Sequence, residues 1–126
     1  MINIKRGLMD NMKAISWDNI EQDNLINGIK RRIVTGEKVM LGRIYFPKGA
    51  KVPSHTHESE QVTHVITGCL KFLINGQEIF VSAGQTLVIP SHEEHSAEAI
   101  EETDEIDTFS PIRTDWLDGS DAYIRE

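Results

Sequence analysis

Five histidines occur in the chain, and four of them lie in two tight groups. His55 and His57 are separated by one residue, with Glu60 and Gln61 close behind. On an extended segment the i, i+2 spacing turns both imidazoles to one face. His92 and His95 form the second group, just past Pro90. Neutral imidazole is the commonest side-chain ligand for Zn, Fe, Ni, Co and Mn-like ions. Two same-face histidines from one strand and a third from another can build a compact facial site with open positions. A lone H-x-H more often decorates a surface. Here the two groups are bracketed by turn residues, Gly49 and Gly68 around the first, Gly84 and Pro90 before the second.

The elements that must position them are strands. Ile29–Thr35 and Val39–Phe46 read as strands around a turn at Gly36-Glu37, and Pro47-Lys48-Gly49 closes the second. Glu60–Thr67 is β-rich and ends at Gly68. Leu70, Phe72 and Ile74 alternate with Lys71 and Asn75, the period of a half-buried strand. Asn75-Gly76 predicts a two-residue hairpin, because both turn positions need positive φ. Gln77–Val81 returns, Thr86–Ile89 stops at Pro90, and Ala97–Phe109 supplies one or two further strands. Helical periodicity is nearly absent. Short strands at spacings of roughly 8–12 residues predict an all-β sandwich or small barrel, with room inside for one small ligand. Arg31 and Arg32 fall on opposite strand faces, so one of them can point inward. The acidic run Glu98, Glu101, Glu102, Asp104 and Glu105 reads as a solvated rim.

Length and composition exclude several classes. The 126 residues make one domain, and the 39% hydrophobic content, about 46% with the nine glycines, is that of a globular protein. Thirteen Lys+Arg against twenty Asp+Glu leave a net charge of −7, which disfavours nucleic acid and anionic membrane surfaces as partners. Cys69 is the single cysteine, so neither an internal disulfide nor a cysteine-cluster metal site is available. No apolar run approaches the roughly 18 residues that span a bilayer. Lys5 and Arg6 are followed by no apolar stretch of a leader. The expected compartment is the cytoplasm. We expect an N-terminal arm or edge strand over residues 1–27, the barrel over 28–117 and a C-terminal tail over 118–126.

The two histidine segments together resemble the cupin superfamily. Its first motif, G-x5-H-x-H-x3,4-E-x6-G, reads Gly49, His55, His57, Gln61, Gly68; its second, G-x5-P-x-G-x2-H-x3-N, reads Gly84, Pro90, His92, His95, Ala99. The resemblance implies a double-stranded β-helix, a jelly-roll-like barrel. It also implies one divalent metal ion (Zn, Ni, Co, Mn or Fe) held by His55, His57, Gln61 and His95. Three residues depart from the motifs: Gln61 stands for Glu, His92 for Gly and Ala99 for Asn. Glu60 is the rival fourth ligand, but strand alternation turns it away from the side Gln61 faces. Three imidazoles and a neutral amide leave the ion's charge uncompensated. Such a site suits a Lewis acid that attracts an anion better than redox chemistry.

A second resemblance is narrower. The segment from Asp107 to Leu117 reads D-x-F-S-P-x-R-x-D-W-L. With the glutamine in the ligand set it is similar to small single-domain cupins of the KdgF type, which convert 4,5-unsaturated monouronates from pectin or alginate into linear keto-sugars. The resemblance implies activity at Asp107, Phe109 and Arg113. Read on their own terms, Asp107 and Phe109 share a strand face, an inward Asp can move protons, and an Arg fork suits a carboxylate. The plain alternatives are that Arg113 pairs with Asp115, that Asp107 caps a turn and that Phe109 is core. The expected protein is therefore a metal-dependent isomerase-like or lyase-like enzyme on a small sugar acid, and a homodimer. An Fe- or Mn-dependent dioxygenase and a non-enzymatic small-anion sensor are the competing readings.

Overall fold

The computed structural model of the chain describes residues 12–125. Residues 1–11 of the expected arm lie outside the described residues. Among the described residues ten strands follow one another: β1 (Asp23–Asn24), β2 (Lys30–Thr35), β3 (Met40–Phe46), β4 (Lys51–His55), β5 (Glu60–Thr67), β6 (Cys69–Ile74), β7 (Gln77–Ser82), β8 (Thr86–Ile89), β9 (His95–Ala99) and β10 (Thr103–Ser110). One short helix, α1 (Thr114–Asp118), and a 3-10 turn at Ala122–Ile124 follow. Among the described residues no helix is long and apolar enough to cross a membrane.

The strands form two antiparallel sheets, ordered β1-β2-β3-β10-β5-β8 and β4-β9-β6-β7. Facing each other they make the jelly-roll barrel that the cupin resemblance implies, one form of the all-β sandwich or small barrel that the strand pattern predicts. Along β3 every second residue is buried: Met40, Gly42, Ile44 and Phe46. Ile89, Val65, Leu70 and Phe72 come inward from other strands to complete the core. Asn75 (φ 52°) and Gly76 (φ 74°) make the expected tight turn between β6 and β7, with Ile74 opposite Gln77. Pro53 sits inside β4 at a register shift against β9, where its missing N–H costs no ladder bond.

Strand β10 is the centre of the larger sheet, paired with β3 on one side and β5 on the other. Its inward residues are Thr103, Glu105, Asp107 and Phe109. Glu105 is 1% exposed, so it does not belong to the solvated acidic rim expected for it. The pleat decides this: in a run of charges along a central strand, every second one must enter the barrel. Asp104, its neighbour, points out and pairs with Arg43 at 2.7 Å.

The described residues beyond the barrel strands pack back against them. Asp121 and Ile124 are 1% and 3% exposed. Arg31 is the inward member of its pair, fully buried, and its guanidinium binds Asp23 at 2.9 Å and Asp121 at 2.8 Å. It also lies 4.3 Å over the Trp116 ring. That ring packs edge-on against Phe109 and covers Gly42, where a Cβ would come within 2.6 Å of it. Substituting Gly42→Ala is expected to displace Trp116 and to cost about 1–3 kcal/mol. Denaturant unfolding checks the loss and tryptophan fluorescence checks the displacement. An alanine variant as stable as the parent would show that the ring has room to give.

Candidate metal centre

The two histidine groups meet inside the barrel. His55 and His95 stand opposite each other in β4 and β9, and His57 follows two residues beyond His55. Candidate donor atoms of the three lie within 4.8 Å of one another. Each ring is oriented by its own backbone. The Nδ1–H of His55 donates to the Pro53 carbonyl at 2.9 Å, that of His57 to Ser59 at 2.8 Å, and that of His95 to Glu93 at 2.8 Å. With the proton held on Nδ1, the Nε2 atom of each ring is left with a free lone pair. Second hydrogen bonds of this kind are what orient metal-binding imidazoles.

Two observations support a cation here. The buried Nε2 of His95 has no partner among the described residues. The Nε2 of His57 faces Oε1 of Gln61 at 3.0 Å. With the His57 proton on Nδ1, both of these atoms are acceptors, and a cation between them is what would satisfy both. Gln61 is buried on β5, whereas Glu60 beside it is exposed. The Gln61 amide is oriented from behind, its Nε2 donating to Thr63 Oγ1 at 2.9 Å and to Asp107 Oδ1 at 3.3 Å. The residues present therefore fit a divalent ion with three imidazole nitrogens and one amide oxygen as donors.

His92 does not join them. It is exposed, with φ at 64°, the left-handed conformation that explains a glycine in the family motif. Its backbone N–H donates to the His57 carbonyl at 2.8 Å and so braces the first histidine segment. His64 is exposed on the outside of β5.

His55 and His95 open onto a cavity of about 30 Å³, room for one or two water molecules. His55, Gln61, His95, Asp107, Phe109 and Arg113 all line it. Phe109 is core and wall at once, its ring edge-on to His57 with centroids 5.6 Å apart. Asp107 lies directly across from Thr63, whose hydroxyl donates to its Oδ1 at 2.6 Å. Arg113 differs from a free carboxylate clamp. Its Nε and Nη2 donate to the two oxygens of Asp115 at 3.1 and 2.7 Å, and Nη2 also donates to the Tyr123 hydroxyl at 2.9 Å. The alternative pairing with Asp115 is thus what forms, and a ligand carboxylate would meet only part of the fork.

Two site residues were missed in the sequence. Glu105 lines the cavity below Asp107, and its Oε2 has no partner among the described residues. Its place on the strand face of Asp107 and Phe109 was the signal. Tyr123 lines the cavity from the C-terminal segment and stacks on His55, with ring centroids 4.3 Å apart. Nothing in the sequence near Tyr123 pointed to it.

Burial dominates the electrostatics. It lowers His55 to about 3 and His57 to about 4, with nearby Arg113 and the other imidazoles acting in the same direction. The rings are therefore neutral at physiological pH and ready to ligate. Burial raises Asp107 to about 6, against the opposing hydrogen bonds from Thr63 and others. Glu105 is raised well above its ordinary value by burial and by Asp107 beside it. The folded chain thus keeps a proton on Glu105 that the unfolded chain gives up. That stability is complete below the ordinary carboxyl pKa of about 4.5 and is lost as pH rises through the folded value. Comparing the parent chain with a variant that lacks only the Glu105 carboxyl cancels the titrations the two share and isolates Glu105. For metal-free protein at pH 8, Glu105→Gln is expected to gain about 1–3 kcal/mol over the parent, and that advantage is expected to shrink as pH falls toward the ordinary carboxyl range. Urea unfolding across that range is the measurement, and an advantage that does not change with pH would refute a protonated Glu105.

Known proteins of similar structure share this architecture. An RmlC-like cupin from Shewanella frigidimarina is 29% identical, with 84% of this chain and 96% of that one covered at a TM-score of 0.77. KdgF from a Halomonas species is 31% identical, with 83% and 100% covered at the same TM-score. The polyketide cyclase RemF from Streptomyces resistomycificus, at 17% identity, 82% and 81% coverage and a TM-score of 0.69, shares the fold alone. Among curated proteins no sequence matches significantly. Residues 42–106 match the family described as Cupin domain. The chain belongs to the cupin family, as a small cupin of the KdgF type.

Proposed function

We propose that the protein is a metal-dependent enzyme that opens and tautomerises 4,5-unsaturated monouronates to linear keto-sugars. The observation that carries this reading is the Asp107 carboxyl, buried in the cavity of the histidine cluster and hydrogen-bonded to Gln61 and Thr63. The likeness to the Halomonas KdgF supports it.

The reaction is an isomerisation. The ring oxygen leaves the hemiacetal carbon, the hydroxyl proton on that carbon is released, and a proton is added at the far end of the double bond. Electrons neither enter nor leave. A divalent ion held by His55, His57, Gln61 and His95 would supply positive charge opposite the developing enolate oxygen. Asp107 is suited to carry the proton, because a carboxyl near pKa 6 is present in both forms close to neutrality. Phe109 gives the sugar an apolar wall. Arg113, buried over the rings of Phe109 and Trp116, attracts the carboxylate by charge and through Nη1, since Asp115 holds its other edge. The small interior makes a water-poor site once a ligand is seated.

The first test follows loss of the double bond of 4,5-unsaturated galacturonate by NMR. Metal-loaded protein is expected to exceed the spontaneous rate. Stripping by chelator is expected to remove that excess, and Asp107→Asn to lower it by about 10²–10⁴. No excess rate from metal-loaded protein on either a pectin-derived or an alginate-derived uronate would end the assignment. We also propose a homodimer, for which light scattering should give twice the chain mass; a monomer mass at micromolar concentration would remove it.

A further inference from the structure

The cavity is too small for the ligand it is proposed to take. About 30 Å³ holds one or two waters, while drug- and sugar-sized ligands occupy sites of roughly 300 Å³ or more. Something that now fills or closes the space must move. Of the fifteen described residues that line it, twelve are buried, and His55, Ala97 and Tyr123 are partly exposed. His55 and Ala97 are fixed in the ladder between β4 and β9. Tyr123 belongs to no strand. Its ring stacks on His55, and the residue is partly exposed.

Its surroundings say which part can move. The backbone on either side is pinned, by the Asp121 ion pair with Arg31 at 2.8 Å and by the buried Ile124. The side chain packs against the core, with the Arg113 guanidinium 5.7 Å over its ring, and three further contacts hold it within the site. These are the stack on His55 and two hydrogen bonds accepted by its hydroxyl, from Arg113 Nη2 at 2.9 Å and Trp116 Nε1 at 3.2 Å. A polar ligand can replace the two hydrogen bonds, because its own oxygens can accept from the same two donors. We propose that Tyr123 controls access to the histidine cluster, its ring being the removable wall of the cavity. The inference rests on the reading of this cavity as a ligand site, but not on the identity of the substrate.

The test needs neither metal nor uronate. Metal-free protein is treated with diethyl pyrocarbonate, and modification of each histidine is followed by mass spectrometry. His95, 2% exposed, reports access to the cluster, and exposed His64 and His92 are internal standards. In the parent chain His95 is expected to react much more slowly than the standards. Tyr123→Phe keeps the ring and loses both hydrogen bonds, so His95 should react about threefold to tenfold faster with the standards unchanged. Tyr123→Ala should be faster still. A rise in the alanine variant alone supports the ring as wall and removes the hydroxyl as its latch. Parent rates at His95 equal to those of the standards would overturn the proposal, as would rates unaltered in both variants. If the alanine variant fails to melt cooperatively, the phenylalanine variant decides: an unaltered His95 rate there overturns it. Failure of the uronate assay with a positive result here removes the substrate and leaves the gate.

Discussion

The structure depends on three Nδ1–H bonds. Each imidazole of the cluster spends its one proton on a backbone carbonyl two residues away: Pro53 for His55, Ser59 for His57 and Glu93 for His95. That choice leaves the basic Nε2 of each ring free. It also couples ring orientation to strand geometry, because the accepting carbonyls lie in β4, in the loop after it and in the turn before β9. Three lone pairs brought together inside a barrel repel, and burial of His95 Nε2 without a partner is unfavourable. The barrel holds this arrangement because its two sheets bury enough apolar surface to offset it. A bound cation would turn the same arrangement from a cost into an affinity.

Around that centre the charges are arranged so that few are free. Arg113 is 3% exposed, and Asp115 and Tyr123 share its fork. Its positive charge still disfavours protonation of His55 and His57, which keeps them in the ligating form. Behind the glutamine the inner face of β10 carries two carboxyls, Asp107 and Glu105, both held toward the neutral form by burial. Gln61 joins the two halves: its amide oxygen faces the histidines and its amide nitrogen faces Asp107. A glutamate in that position would set a third carboxylate against Asp107, with no N–H to offer it. The motif departure at Gln61 thus has a local physical reason as well as a consequence for the charge at the centre.

The C-terminal segment is tied to this chemistry through one aromatic hub. Trp116 touches Phe109, lies under the buried Arg31 and above Gly42, and donates to Tyr123. Arg31 in turn reaches the edge strand through Asp23 and the C-terminal segment through Asp121. Removing either partner of such a buried pair is costly because the remaining charge stays out of water. The hub therefore holds Tyr123 near His55 without any strand pairing to enforce it.

Much of this was legible in the chain. Period-2 alternation placed the strands, Asn75-Gly76 placed a hairpin, and the spacing of two histidine groups between turn residues announced a histidine cluster compatible with a divalent metal. Alternation also separated Gln61 from Glu60 and put Asp107 beside Phe109, because the pleat is a local property that sequence carries directly. What lay beyond sequence was set by contacts between distant segments. Glu105 reads as one more acid in an acidic run until β10 is found between β3 and β5, both of its edges paired. The Arg113 fork has a free and a paired reading, and the turn into α1 decides for Asp115. Tyr123 sits in a short polar stretch of no pattern, and its contact with His55 spans 68 positions along the chain. Local periodicity can declare which way a residue faces; which partner it meets there is settled only when the two sheets close and the last segment packs across them.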